Sequence, residues 1–309
     1  MEVVYSRKWT VLFNDLDNDD KRSRLLENTG PLARAWQRML PSARLQQLDN
    51  RTARYALRRQ LISDFTEAVS PTGLCPRCSR PDHATHHLLC TKSQPLRTNR
   101  HTGVERTLAF HLRSVGGGNV FGAVATEVWV AENRKADVQV NIPGSSRKNI
   151  DVGIPAMPLV SGAIDWPTDE QIQHHVDEAQ HTNDDDDDNN THTNKLAHPE
   201  VTFCHAKISL FKKVSIEQCI NTMTARKRQH YGNIPLTPFI VSAGGYLGKE
   251  AKDFLNECYA AIKSSAYTYE LPEFRSGINF RIAARLLTVG SDLAKTHASS
   301  ALRSQAANN

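Results

Sequence analysis

The chain has 309 residues, a formal net charge of +5 and an apolar share of 39%. This length suffices for one large domain or two small ones with a real core. Six cysteines in so long a chain exclude a disulfide scaffold, and no apolar run is long enough to cross a bilayer. The chain does not start with the charged-then-apolar pattern of a signal peptide, so we expect a soluble, intracellular protein.

The N-terminal segment, residues 1–70, is predicted to be helical. Apolar side chains recur there at three- and four-residue steps between positions 31 and 65. Four arginines flank the second part of this stripe: Arg51, Arg54, Arg58 and Arg59. They form either a solvated helix face or a face that binds phosphate groups.

A short cluster of cysteine and histidine follows this segment. Its spacing is Cys75-x2-Cys78-x7-His86-x3-Cys90. Thiolates and an imidazole suit tetrahedral zinc, and a site closed by four protein ligands has no open position for chemistry. The spacing therefore predicts a structural zinc site, with His87 or His83 as alternative fourth ligands. A set of buried thiols beside surface histidines is the plainer alternative.

The middle of the chain predicts one helix followed by three strands. The helix covers 102–115, and the strands cover 124–130, 137–142 and 149–154. Turn residues at 143–146 separate the last two strands, which predicts a β-hairpin.

Residues 155–200 are polar and poor in core-forming side chains, and they include five consecutive aspartates at 184–188. We expect a disordered acidic insertion there. The following patterns predict, in order, a helical stretch from 201 to 231, a strand over 237–242, a helix over 249–262 and a last helix over 277–293. The tail after Ala294 is predicted to fray. This order favours an α/β fold in which helices pack on a mixed sheet.

Two aspartates, Asp137 and Asp151, lie on the neighbouring strands of the predicted hairpin. Such strands are about 4.8 Å apart, so a suitable register would let both carboxylates bind Mg²⁺ or Mn²⁺. These ions activate water and stabilise the leaving oxygen in phosphodiester cleavage. Glu127 on the preceding strand and Glu105 on the preceding helix are further candidate ligands. The alternative is that all four are ordinary solvent-facing acids.

Several segments, taken in order, resemble a known family. They are the cysteine cluster, Arg100-His101 before the helix of Glu105, Arg134-Lys135-Ala136-Asp137-Val138-Gln139-Val140, Asn149-Ile150-Asp151-Val152, the helix at 225–231 and the strand at 237–245. Residues 75–255 are similar to the C-terminal part of non-LTR retrotransposon polyproteins. In that family a zinc knuckle precedes a restriction-like endonuclease of the PD-(D/E)xK type.

The resemblance implies roles for four residues. Asp137 and Asp151 would be the ligands of a catalytic Mg²⁺ or Mn²⁺, Lys227 would orient the attacking water or stabilise the phosphate, and Tyr231 would support Lys227. By the same resemblance, Glu105 is similar to a first-helix acid of archaeal Holliday-junction resolvases, which share the nuclease fold.

Two positions depart from the family pattern. Ala136 stands where proline is usual, and Gly153 stands where a lysine is expected two residues after the second acid. In the retrotransposon branch this lysine moves to the later helix, which makes Lys227 the candidate. Lys212 and Lys213 are its rivals.

The predicted regions are a helical segment at 1–70, a zinc knuckle at 71–98, an endonuclease domain at 99–264 and a C-terminal helix and tail at 265–309. The resemblance implies an endonuclease that nicks target DNA in the nucleus for primed reverse transcription, with DNA and element RNA as partners. No Tyr-x-Asp-Asp polymerase motif occurs in the chain. An inactive nucleic-acid-binding remnant is the alternative, and a zinc-dependent interaction module that binds no nucleic acid is a third.

Overall fold

A computed structural model describes residues 48–61, 73–82, 86–114, 117–155 and 216–308, together with six single positions before residue 36. The chain divides into two compact units, one of Met1–Ser23 with Leu159–Gln218 and one of Arg24–Pro158 with Cys219–Asn309. Nearly all described residues belong to the second unit. The predicted acidic insertion and most of the predicted N-terminal helical segment lie outside the described residues.

The described residues form seven α-helices and four strands. The helices are α1 (Asn50–Gln60), α2 (His86–Leu89), α3 (Gln94–Ser114), α4 (Gly117–Val120), α5 (Gln218–Tyr231), α6 (Lys249–Lys263) and α7 (Leu271–Asn308). The strands are β1 (Ala125–Ala131), β2 (Arg134–Val140), β3 (Lys148–Gly153) and β4 (Thr237–Ile240).

The four strands form one mixed sheet in the order β1-β2-β3-β4. The first three are antiparallel, and β4 runs parallel to β3. Alternate residues of β2 are buried, which fits a strand with one face in the core, whereas β3 is buried at every residue from Ile150 to Gly153. The predicted hairpin and the predicted mixed sheet with flanking helices are both confirmed.

Helices cover the sheet and bury its apolar side chains. Helix α3 packs on β1, β2 and β3 and also along α7, and α6 packs on β4. Leu108 and Leu112 of α3, Phe239 of β4 and Phe254 of α6 are fully or almost fully buried in this core. None of the helices in the described part of the chain is both long and apolar enough to cross a membrane.

The start of α3 and both ends of α7 differ from the sequence prediction, and α7 begins at Leu271 rather than at residue 277. Helix α3 begins at Gln94 rather than near residue 102, because Pro95 is tolerated in the first turn of a helix. The predicted fraying after Ala294 was wrong, since α7 continues to Asn308. Its last turns bury His297 and Ala301 and pack on other helices, and such tertiary packing supplies most helical stability in proteins.

Helices α1 and α7 approach closely at a glycine. A Cβ atom at Gly290 of α7 would lie 2.7–2.9 Å from the hydroxyl oxygen, Cε1 and Cζ of Tyr55 on α1. The buried ring of Tyr55 therefore occupies the space of a side chain at position 290. Helix α1 is itself fixed at its start by Asp49, whose carboxylate accepts hydrogen bonds from the backbone of Arg51 and Thr52.

We expect Gly290→Ala to lower stability by roughly 1–2 kcal/mol, because the overlap with a rigid ring outweighs the better helix propensity of alanine. Gly277→Ala, in the same helix, is the matched control. A Cβ there would lie 3.1 Å from Cε1 of His111, which a small shift can relieve. Thermal unfolding monitored by circular dichroism measures both, and a Gly290→Ala protein as stable as the Gly277→Ala protein would contradict the close contact.

Candidate functional site

Four metal-binding side chains converge in the segment between α1 and α3. The ligand atoms of Cys75, Cys78, His86 and Cys90 all lie within 4.8 Å of one another, so the group could hold a metal ion such as zinc. The sulfurs of Cys75 and Cys90 are 3.8 Å apart, and Cys78 Sγ is 3.2 Å from His86 Nε2. Two sulfurs at ~2.3 Å from one tetrahedral ion would be separated by ~3.8 Å.

The backbone of this cluster is ordered by local hydrogen bonds. The N–H of Cys75 donates to the carbonyl of Arg80, and the N–H of Ser79 donates to the carbonyl of Cys75, which closes the turn between the first two cysteines. At the other end the N–H of Cys90 donates to the carbonyl of His86. Burial raises the pKa of the Cys75 thiol to about 11, so this group is protonated at neutral pH unless a cation is bound.

The structure separates the two candidate histidines. His86 faces the sulfurs, whereas Nε2 of His87 shares a hydrogen bond of 3.1 Å with the hydroxyl of Tyr55. His83 lies outside the described residues. Of the histidines in the described part of this segment, His86 is therefore the one that completes the four-donor group.

A buried contact between an imidazole and a carboxylate, which no sequence motif indicates, lies beside this cluster. Nε2 of His297 on α7 is 3.2 Å from Oδ1 of Asp82, and both side chains are almost completely buried. The ring of His297 also lies 5.7 Å from the ring of His86. This pair attaches α7 to the cysteine cluster, and a separation of more than 200 positions hides it from any motif search.

Three acidic residues lie side by side across the sheet. The register that pairs Thr126 with Val138 and Val138 with Ile150 places Glu127, Asp137 and Asp151 opposite one another on β1, β2 and β3. Like charges directly opposite one another destabilise a sheet, so this row requires nearby cations.

Lys227 on α5 supplies the cation for Asp151. Its Nζ is 2.8 Å from Oδ1 of Asp151 and 2.9 Å from the carbonyl oxygen of Val152. Tyr231 lies one turn further along the same helix face and donates a hydrogen bond to the carbonyl of Lys135 on β2. Arg134 donates to the carbonyl of Tyr231, so the end of α5 is fixed to β2.

His101 on α3 is the basic side chain beside Asp137, and no sequence pattern had indicated a role for it. Its Nε2 is 3.2 Å from Oδ2 of Asp137 and 2.9 Å from the carbonyl oxygen of Val152. The N–H of Val152 donates to the same Oδ2 over 2.7 Å. The helical spacing of His101 and Glu105 could have signalled this residue, but the predicted helix began after it.

The surroundings shift the pKa values of the two aspartates in opposite directions. Burial raises the pKa of Asp151 to about 6, against the opposing effect of Lys227. Burial also opposes ionisation of Asp137, but the hydrogen bond from His101 prevails and lowers the pKa of Asp137. The hydrogen bond to Asp137 in turn raises the pKa of His101. The pair therefore holds one negative charge more readily than two.

The two glutamates occupy different positions around this pair. Glu105 is buried, and its carboxylate forms a potential three-ligand group with His101 and Asp137. Burial, followed by the charge of Asp137, raises the pKa of Glu105. Glu127 lies outside this three-ligand group: its side chain is 64% exposed, pairs with Lys135 over 3.7 Å, and extends from a backbone with φ of 52°.

Position 153 has no room for a side chain. A Cβ on Gly153 would lie 2.5 Å from Cδ1 of Ile240 and 2.7 Å from Sδ of Met223. Met223 precedes Lys227 by one turn of α5, so the helix that fills this space also carries the amine to Asp151. Lys212 and Lys213 lie outside the described residues.

Comparison with known proteins finds no matching protein-family model, no matching curated protein and no matching solved structure.

In the absence of divalent ions we expect Asp151 to titrate near pH 6 and Asp137 to titrate at lower pH, because only Asp137 receives hydrogen bonds from both His101 and a backbone N–H. Lys227→Met should raise the midpoint of Asp151, since Lys227 favours its ionised form. Lys249→Met, which removes an exposed lysine paired with Asp253, should leave it unchanged. Carboxyl-carbon NMR measures these titrations, and an unchanged midpoint in Lys227→Met would contradict the assignment.

Proposed function

We propose that this chain is a metal-dependent DNA endonuclease of the restriction-like PD-(D/E)xK type, derived from a non-LTR retrotransposon. It would nick target DNA and leave a 3′-hydroxyl that primes reverse transcription. The observation that carries the proposal is the convergence of Asp137, Asp151 and Lys227 around the peptide group of Val152. Acids on adjacent strands with a lysine from a separate helix are the constellation that the sequence resemblance implies.

The donor set fits a divalent cation that prefers oxygen ligands. The hydrogen bonds described above engage Oδ2 of Asp137 and Oδ1 of Asp151, and the two carboxylates also interact with each other. Together they would hold Mg²⁺ or Mn²⁺, and the carboxylate of Glu105 is a further donor beside Asp137. The bound ion would activate water and stabilise the leaving oxygen.

The protein groups around the two aspartates have separate tasks in this proposal. Lys227 places a positive charge beside the carboxylate of Asp151, where it can stabilise the charge that develops on a scissile phosphate. His101 holds Asp137 in its ionised form and orients it through Oδ2. Tyr231 fixes the end of α5 to β2 and so positions Lys227 one turn earlier.

We further propose that the four-donor cluster binds a structural zinc ion. The three sulfurs and one nitrogen are the ligands that zinc prefers, and the four of them complete a tetrahedral shell. The ion would stabilise the segment that connects α1 with α3, and α3 carries His101 and Glu105.

We expect the native protein to nick supercoiled plasmid in the presence of Mg²⁺ or Mn²⁺, and Asp151→Asn and Lys227→Met to reduce the rate by about 100-fold or more. The reason is that each change removes a group placed at the reacting phosphate. Agarose gel assays of the conversion from supercoiled to open-circular plasmid measure the rate.

The surface pair Lys249 and Asp253 provides a matched control for these changes. Its N–O separation is also 2.8 Å, but both side chains are largely exposed, on α6. Asp253→Asn and Lys249→Met should nick at the native rate. Equal cleavage by the native and Asp151→Asn proteins would end the active-site assignment, and DNA binding without nicking by the native protein would favour the inactive remnant.

We expect one zinc ion per chain. Loss of a residue that only hydrogen-bonds to a metal ligand weakens metal binding by roughly 10–100-fold, and we expect His86→Ala, which removes a ligand, to weaken zinc binding by more than this. His87→Ala is the matched control and should keep the ion, because His87 hydrogen-bonds to Tyr55. Competition with a coloured chelator measures the affinity. Retention of zinc by His86→Ala and its loss from His87→Ala would reverse the assignment.

A further inference from the structure

A basic groove lies between helices α1 and α7, away from the acidic row. It has a volume of about 550 Å³ and is lined by Arg51, Arg54 and Arg58 of α1 and by Lys295 of α7. No acidic side chain lines it among the described residues. Asp292 of α7 pairs with Arg51, whereas neither Arg54 nor Lys295 forms an ion pair with another described residue.

The spacing of these cations suits a phosphodiester backbone. Arg51, Arg54 and Arg58 follow one another on α1 over seven residues, which corresponds to ~10 Å along a helix axis. One strand of duplex DNA carries a phosphate every ~3.4 Å along its axis, so this length matches about three phosphates. Ser299, which is partly exposed, also lines the groove, and its hydroxyl can donate to a phosphate oxygen.

The groove has a fixed place in the described fold. Tyr55 packs on Gly290 and hydrogen-bonds to His87, so α1 is tied both to α7 and to the residue next to the cluster ligand His86. Nearer the start of α7, the side chain of Arg285 lies against Gly103 of α3, which stands between His101 and Glu105 in the sequence. Lys295 is ten residues beyond Arg285, or ~15 Å along the helix.

We infer that the groove binds the phosphate backbone of the DNA duplex that the protein nicks. This inference rests on the proposed function for its choice of DNA. The groove contacts are with phosphates and therefore add affinity and register without sequence preference. A duplex too short to reach the groove gains nothing from it, whereas a longer duplex gains affinity from these contacts.

The test is fluorescence anisotropy of labelled duplex DNA with Ca²⁺ in place of Mg²⁺, at several salt concentrations. Arg54→Ala/Lys295→Ala should weaken the binding of a long duplex and reduce the slope of log K against log salt by about 1.8, because each lost phosphate contact removes about 0.9. Arg147→Ala/Lys263→Ala is the matched control, since both side chains are exposed elsewhere, and its slope should equal that of the native protein.

A third double variant, Arg54→Lys/Lys295→Arg, preserves the charges and should keep the native slope, which separates loss of contacts from misfolding. An unchanged slope in Arg54→Ala/Lys295→Ala overturns the inference. So does a weakening by this variant that is confined to the binding of an RNA duplex of the same length. The proposed function fails separately. Asp151→Asn should bind DNA with the native slope, and a native protein that never nicks but shows groove-dependent binding refutes the nuclease and not the groove.

Discussion

The ion pair between Asp151 and Lys227 is the interaction on which the described site depends. Asp151 lies on a strand whose residues are buried on both faces from Ile150 onward, and an unpaired carboxylate there would be strongly unfavourable. Lys227 compensates this charge from a helix that is 76 positions away in the chain. Helix α5 therefore has to dock on β3 before the strand can carry a charge, and docking is completed by the contacts of Tyr231 with Arg134 and Lys135 of β2.

The distance between each acid of the row and its basic partner decreases as the acid becomes more buried. The side chain of Glu127 is 64% exposed and lies 3.7 Å from Lys135. That of Asp137 is 18% exposed and lies 3.2 Å from His101. That of Asp151 is 8% exposed and lies 2.8 Å from Lys227. The attraction between charges grows as the local dielectric constant falls, and so does the penalty for leaving a charge unpaired. The shortest contact accordingly occurs where water is most excluded.

The sequence predicted the elements whose signals are local. Two short predicted strands and the turn residues at 143–146 between them were enough for the hairpin, and the spacing of the cysteines was enough for a four-donor cluster. The four residues of that cluster lie within 16 consecutive positions, so their spacing in the sequence determines most of the geometry of the cluster. The extension of α7 was not predicted because its last turns are stabilised by buried contacts, such as that of His297 with Asp82. The helix propensity of the tail does not account for them.

Contacts of the site between residues that are far apart in the sequence could not be predicted from local patterns. A glycine at position 153 looked like the loss of a lysine, but the structure shows that Met223 and Ile240 fill the space of any side chain there. The position of the cation was therefore decided by packing between β3, β4 and α5. His101 was hidden for a related reason, since its partner Asp137 lies 36 positions away on a different element.

The charges around the acidic row imply that metal binding, under the proposed function, is linked to proton release. Burial raises the pKa of Glu105 and Asp151, and the hydrogen bond to Asp137 raises the pKa of His101, so each of these groups takes up a proton more readily as the pH falls. A divalent cation requires ionised carboxylates and disfavours a charged imidazole beside it. Its binding would therefore compete with protons at these groups, while Lys227 stays beside Asp151. The electrostatic balance that makes the row tolerable in a metal-free protein thus also sets the pH range in which it could bind a metal.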